Sequence, residues 1–600
     1  MTAIRVWAPR ARRVELVVEG GRTGGPPVGG QPDGALGGAG TGESADGARL
    51  DLASVGGGWW SVEVPDPAGL RYRFSLDGGP PRPDPRSASQ PGGIDGPSEV
   101  VDHRAFTWTD QEWRGAPLAS SVLYELHVGT FTPDATFDAV RGRLDYLVDL
   151  GVTAVELLPV AEFSGDRGWG YDGVLLYAPH HAYGGPDALK RLVDACHGRG
   201  LAVVLDVVYN HLGPAGNYLG EYGPYVTDRY LTPWGAAVNL DGPGSDEVRR
   251  FFLDNALMWL RDYHLDGLRL DAVHAIVDTS ATHILEELAV EVAALAAHAG
   301  RSLWLIAESD LNDPRVVRRT EVGGYGLDAQ WSDDFHHALH SVLTGETAGY
   351  YADFGRMDQL ATALRRAFVY DGAYSPHRAR RHGRPIGDLS GTRFVGFSQN
   401  HDQIGNRAMG ERLAALTGPG RLRIAAALEL TAPFVPMLFQ GEEWAASTPF
   451  QYFTDHRDPE LARAVSEGRR AEFAAFGWRP EDVPDPQDPA TWRRSVLDWE
   501  ERDRPEHAAM LEWYRQLIRL RRSQPSLTDG RLDRVVVRHD DDWLQLWRQP
   551  IGTVCNLAGE RRGIAVGRPA TVLLASDPGI RMEGERVELP PDSVAILEAR

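Results

Sequence analysis

The sequence predicts an α/β protein: a (β/α)8 TIM barrel between an N-terminal β-sandwich and a C-terminal β-domain. Two patterns carry this reading. From about residue 115 onward, short apolar runs alternate with helical stretches, strand then loop then helix. Acids stand at the carboxyl ends of several runs: Asp271 closes GLRLDA (267–272), Glu308 closes LWLIAE (303–308), and Asp402 follows RFVGFSQNH. Carboxylates at the ends of successive parallel strands converge on one mouth, where barrel enzymes do chemistry.

The N-terminal unit (1–104) shows strand-like alternation over 1–19 and 58–77, as in Trp60-Ser61-Val62-Glu63-Val64. Between them, 20–57 is rich in Gly, Pro and Ala, too poor in apolar surface to offset its ordering entropy. It is expected to be a mobile loop. The segment Pro80-Pro81-Arg82-Pro83-Asp84-Pro85 begins a turn-rich connector. The barrel unit (105–528) offers strands at 122–128, 154–159, 202–208, 267–272, 303–308, 327–331, 393–400 and 435–440. Helices are expected at 137–149, 186–199, 245–263 and 283–299. In the third, Val248, Phe252, Trp259 and Tyr263 form one apolar face. A helix at about 509–522 leads to short alternating runs (535–547, 551–555, 570–574, 593–598) in the last unit, 529–600.

A chain of 600 residues needs more than one core. Its net charge of −22 disfavours nucleic acid or an anionic membrane as partner and suits a neutral substrate. An acidic surface kept for solubility explains the charge equally well. Cys196 and Cys555, the two cysteines, make no disulfide framework or cysteine zinc site. No run reads as a signal peptide or membrane span, so a cytoplasmic enzyme without cofactor is expected.

Strand side chains alternate, so Arg269 and Asp271 share a face and the guanidinium holds the carboxylate ionised. An ionised, oriented carboxylate suits a nucleophile. Glu308 follows mostly apolar residues, and desolvation there raises its pKa as a general acid requires. Asp402 sits beside His401 among polar residues suited to sugar hydroxyls. Asp206, Asn210 and His211 are possible metal ligands, but no dense acid cluster accompanies them, so sugar binding and loop bracing are preferred and no metal is expected. Tyr171, in GDRGWGYDG, presents a ring suited to stacking on a pyranose.

DVVYNH, GLRLDAVH, AES and NHD, in this order at these strand ends, resemble the conserved regions of the α-amylase family, glycoside hydrolase family 13. The resemblance implies a retaining mechanism with Asp271 as nucleophile, Glu308 as acid/base and Asp402 stabilising the transition state. It also implies that Arg269, His211 and His401 hold the sugar ring attacked, that Tyr171 stacks there, and that Asp206 is structural and ring-binding. VLYELHVGTFTPDATFDAV, AEFSGDRGWGYDGVLLYAP, QWSDDFHHALH, FSQNHDQIGNR and LFQGEEWAASTPFQYFTDH resemble family members that cut the α-1,4 bond beside a terminal trehalose and release free trehalose. That implies a malto-oligosyltrehalose substrate and metabolic coupling to the synthase that makes it. RVWAPRARRVELVV resembles the carbohydrate-binding-like module that also precedes the barrel in branching and debranching enzymes, the alternative reading. His274 stands where the leaving group lies and either recognises trehalose or braces the loop. Trp444 is expected among the substrate-binding residues. Asp333, Asp334 and Glu442 either line the same side or shape the barrel rim.

Overall fold

The computed structural model describes residues 2–19, 48–474 and 479–600. Its centre is a closed barrel of eight strands, all pairs parallel, in chain order around the ring. The strands are Leu123–Leu126, Ala154–Leu157, Ala202–Val207, Gly267–Leu270, Trp304–Ala307, Ala329–Trp331, Phe394–Gly396 and Val435–Phe439. Each lies within a run that the sequence marks as a strand. Helices also fall where the apolar periodicity puts them, at Gly185–His197, Ser245–Asp262, Ile284–Ala299 and Pro505–Ser523. The helix expected at 137–149 is two pieces, Phe137–Arg141 and Leu144–Leu150, separated at Gly142, whose lack of a side chain makes it a poor helix interior residue.

Alternation along the strands sorts the core into two layers. Outward residues such as Tyr124, Val155, Leu205, Leu268 and Leu305 pack under the helices in one large apolar cluster. Inward residues at the amino ends (Leu123, Ala154, Ala202, Val204, Trp304 and Met437 among them) form a second, separate apolar cluster that fills the barrel floor. One step further along, the inward positions turn polar: Glu125, Glu156, Asp206 and Arg269, all buried. Burying charge is tolerable only where partners exist, so this polar layer makes the carboxyl end of the barrel chemically demanding.

At the N-terminus, strands Thr2–Trp7, Ala53–Gly56 and Trp59–Val64 form one antiparallel sheet, and Val14–Glu19, Arg49–Asp51, Arg71–Leu76 and Ser98–Glu99 another. This corrects the reading of 20–57 as one loop. Arg49–Asp51 pairs with Glu15–Val17, and Leu52 beside it is buried, so the end of that segment finds cross-strand partners its composition did not advertise. Residues 20–47 lie outside those described. At the other end, a five-stranded sheet and a three-stranded sheet (536–599) pack around Trp547, Val554, Val587 and Leu597. Arg548 ties them to the barrel by donating to the carbonyls of Ala432 at 2.7 Å and Leu527 at 2.9 Å. Both cysteines are free and buried. Among the described residues, no helix is long and apolar enough to cross a membrane.

Candidate active site

Arg269 organises the mouth of the barrel. It is fully buried, and its guanidinium lies 4.2 Å from the centre of the Trp331 ring. Nη1 sits 2.6 Å from Asp206 Oδ2 and 2.8 Å from Asp271 Oδ1, and Nη2 sits 2.9 Å from Glu308 Oε2. One cation thus joins three carboxyl groups from the third, fourth and fifth strands. Arginine suits this task because its planar fork stays charged when buried.

The two acids beside it are held differently. Asp271 stands one residue past its strand, and its backbone N–H still donates to Val207 O at 3.1 Å. Asn210 Nδ2 donates to Asp271 Oδ2 at 2.7 Å, so both carboxylate oxygens accept a hydrogen bond. The next residue, Ala272, takes a left-handed conformation with φ of 40°. That conformation is uncommon for a residue with a Cβ. Here it turns the chain so that Ala272 N–H donates to Glu308 Oε2 at 2.8 Å. Burial raises the pKa of Glu308; Arg269 opposes this, while the nearby Asp271 adds to it. Burial likewise carries Asp206 up to about 7 against the pull of Arg269. A buried carboxyl with raised proton affinity beside a carboxylate held by an arginine and an asparagine suits an acid/base and nucleophile pair.

His401 and Tyr171 close the other side. Burial works against a charged His401, yet Glu125 and then Asp402 lift it to about 9, so the ring is an imidazolium at neutral pH. Glu125 makes both contacts: Oε1 lies 2.5 Å from Nδ1, and Oε2 accepts from the His401 backbone N–H at 3.0 Å. His401 Nε2 faces the Tyr171 hydroxyl at 2.7 Å, and that hydroxyl donates to Asp206 Oδ2 at 2.6 Å. The Tyr171 ring stacks on the His401 ring, centroids 5.2 Å apart. Gly170 precedes it with φ of 98°, and a Cβ there would collide with the Pro159 carbonyl; only glycine allows the turn that aims Tyr171 inward. Asp402 lies in the first turn of the short helix His401–Gly405 and is partly exposed, with Oδ1 3.6 Å from His401 Nε2.

Two further residues mark the rim. His211 bonds Asn210 through Nδ1 and the Tyr171 carbonyl through Nε2 at 3.1 Å, with the exposed Trp234 stacked on its ring at 4.8 Å. His274 is exposed, and its Nδ1 accepts from Asp310 N–H at 3.3 Å. Asp310 pairs with Arg378 at 2.5 Å; Arg378 lies between strands Asp371–Ser375 and Arg380–Gly383 of an inserted hairpin.

The sequence-predicted residues therefore gather, with one exception. Trp444 is fully buried, in ring contact with Tyr146 at 6.0 Å and Trp499 at 5.1 Å. Gly441, left-handed with φ of 80°, turns the chain after the eighth strand and sends Trp444 into the packing outside the barrel. Its place among substrate-binding residues is corrected to a core role. Asp334 and Glu442 brace the rim as well. Asp334 Oδ2 accepts from the backbone N–H groups of Val369 and Tyr370, and Glu442 Oε1 accepts from Ser398 and Tyr514 hydroxyls. Asp333 is only partly buried; burial, then Glu308 and Asp310, hold its pKa well up. Sequence reasoning missed Glu125, Asn210 as a partner of Asp271, and Glu156. Neither Glu156 oxygen has a hydrogen-bond partner, and burial followed by Glu125 pushes its pKa well up. The alternation of Glu125 with Leu123 was the available signal.

Comparison with known proteins agrees with this geometry. The alpha amylase catalytic-domain family model matches residues 127–227. A malto-oligosyltrehalose trehalohydrolase from Rhizobium sp. (strain M-11) is 51% identical, covering 99% of this chain and 97% of that protein. One from Arthrobacter ramosus is 54% identical over 87% of each chain. The crystal structure of a putative alpha amylase from Salmonella typhimurium superposes with a TM-score of 0.88 at 38% identity, covering 99% of this chain and 97% of that one. With half its residues shared along nearly the whole length of the Rhizobium protein, this chain belongs to the malto-oligosyltrehalose trehalohydrolase family.

Proposed function

We propose that this enzyme hydrolyses the α-1,4-glucosidic bond next to the terminal trehalose unit of malto-oligosyltrehalose, giving trehalose and a malto-oligosaccharide. The observation that carries the chemistry is the Arg269 bridge, which draws Asp271 and Glu308 together at the barrel mouth. Retaining glycosidases hold their two carboxyl groups about 5–5.5 Å apart, whereas inverting ones need about 6.5–9.5 Å. Two acids on one guanidinium suit the closer spacing.

Asp271 attacks the anomeric carbon as Glu308 gives its proton to the departing trehalose oxygen. A covalent glycosyl ester forms and the glycosidic bond breaks. Water then enters, Glu308 takes its proton, and hydroxide displaces Asp271 with net retention of the α configuration. Asp402 and the imidazolium of His401 stabilise the distorted ring; Asp206, Tyr171 and His211 fix its hydroxyls, with Arg269 orienting the Asp271 carboxylate. His274, exposed beside the Asp310–Arg378 pair, lies on the leaving-group side. Glu125 is a positioning residue that keeps His401 charged. The oligosyltrehalose substrate implies metabolic coupling to a malto-oligosyltrehalose synthase.

Offering maltopentaosyl trehalose and maltoheptaose side by side tests the reading. Fast trehalose release from the first, with slow or no cleavage of the second, is expected. Equal cleavage would make the enzyme a general α-glucan hydrolase, and longer or branched products would make it a transferase.

A further inference from the structure

A second cluster of chemically capable side chains lies away from the acids of the mouth. Strand Ala161–Glu162 pairs antiparallel with Leu175–Pro179, and His180 and His181 follow directly. Glu162 and His180 side chains are fully buried, while His181 is 21% exposed. Glu162 Oε1 lies 2.7 Å from His181 Nδ1 and 3.3 Å from His180 Nδ1, and one donor atom from each residue lies within 4.8 Å of the others. Among the described residues this is the one such group of His, Cys, Asp and Glu.

Two independent features distinguish it from an ordinary ion pair. No well-aligned hydrogen bond reaches either ring nitrogen of His180, Glu162 Oε1 standing at ion-pair distance from Nδ1 only, although the ring is fixed by stacking on Phe163 at 3.8 Å. A buried ring nitrogen held without an aligned partner is costly, and a cation coordinated at Nδ1 gives that atom a full one. Asp166 Oδ1 stands 3.3 Å from His181 Nε2. A carboxylate on the far nitrogen orients the ring and retains its Nε2 proton, so that Nδ1 can ligate once the proton it shares with Glu162 leaves. The group also adjoins water: His181 lines a cleft of about 640 Å³, bounded by Gln90 and Val100 on the N-terminal side and Pro186 on the barrel side.

We propose that Glu162, His180 and His181 bind one zinc-like divalent cation through Oε1, Nδ1 and Nδ1, with water from the cleft completing the coordination. Two imidazoles and a carboxylate suit zinc; calcium and magnesium prefer all-oxygen sites. The ligands bracket the segment 163–179, which carries Trp169 and Tyr171. Occupancy therefore ties Glu162, at the start of the loop that delivers Tyr171, to the residues that follow the loop's returning strand Leu175–Pro179. On binding, the cation takes the Nδ1 lone pair of His181, and the proton shared with Glu162 leaves to solvent.

The test titrates ZnCl2 into the untagged full-length chain, stripped with chelator, by calorimetry in buffers of differing ionisation enthalpy. One equivalent bound with proton release is expected. His180→Phe preserves the stack on Phe163 and should weaken binding more than about 100-fold, and Asp166→Asn by about 10-fold. Co2+ in place of zinc should give the intense visible bands of a low-coordinate site in the wild type and lose them in Glu162→Gln, a reading that stands if His180→Phe folds poorly. Absence of a saturable equivalent in the wild type, or unaltered binding and spectra in both His180→Phe and Glu162→Gln, would overturn the site and leave a structural ion pair.

Discussion

Replacing Asp271 with asparagine is expected to lower kcat by roughly 10⁴-fold or more, in line with losing a covalent nucleophile, while substrate still binds. Asparagine keeps the shape of the side chain, and its amide oxygen still accepts from one of the two donors, Asn210 Nδ2 or Arg269 Nη1. What it lacks is the negative charge that forms the ester with the anomeric carbon. The loss should therefore appear in kcat, with KM changed far less and the circular dichroism spectrum retained. Turnover within tenfold of wild type would remove Asp271 from the nucleophile's role.

Arg269→Met should be the most damaging single change to stability in the mouth, about 3–5 kcal/mol, because it leaves buried carboxylates without their cation. Its effect depends on pH, and the sign follows from the native acids. Burial raises Glu308 and carries Asp206 to about 7. An acid with a raised native pKa favours folding fully below its ordinary value near 4, and that contribution is lost as pH rises through the native pKa. Without Arg269 both acids rise further. The variant should thus fall increasingly below wild type as pH rises through about 7, where wild-type Asp206 ionises beside Arg269 and the variant's does not. Thermal unfolding across that pH checks it; a gap that stays constant or narrows would mean that Arg269 does not hold these acids.

Much of this was legible in the sequence because a parallel barrel imposes two simple periodicities. The eight apolar runs marked the strands, and the alternation Leu268, Arg269, Leu270, Asp271 already put the cation and the acid on one face. The apolar run before Glu308 likewise announced its desolvation. Other parts depend on what the chain meets across the barrel. Glu125 lies far from His401 in sequence, and nothing local marks it as the group that charges that ring. Trp444 was misplaced because a strand-end position indicates the mouth, but the left-handed Gly441 reverses the chain immediately afterwards. The strands between 49 and 56 escaped notice because a glycine-rich composition hides a few residues whose pairing partners lie elsewhere in the sheet.

The most direct test follows hydrolysis of maltopentaosyl trehalose by ¹H NMR from the first seconds, before mutarotation. The account predicts free trehalose and a malto-oligosaccharide whose new reducing end appears first as the α anomer. A β anomer appearing first would contradict the double displacement through Asp271, and a product mixture without trehalose would contradict the assigned bond.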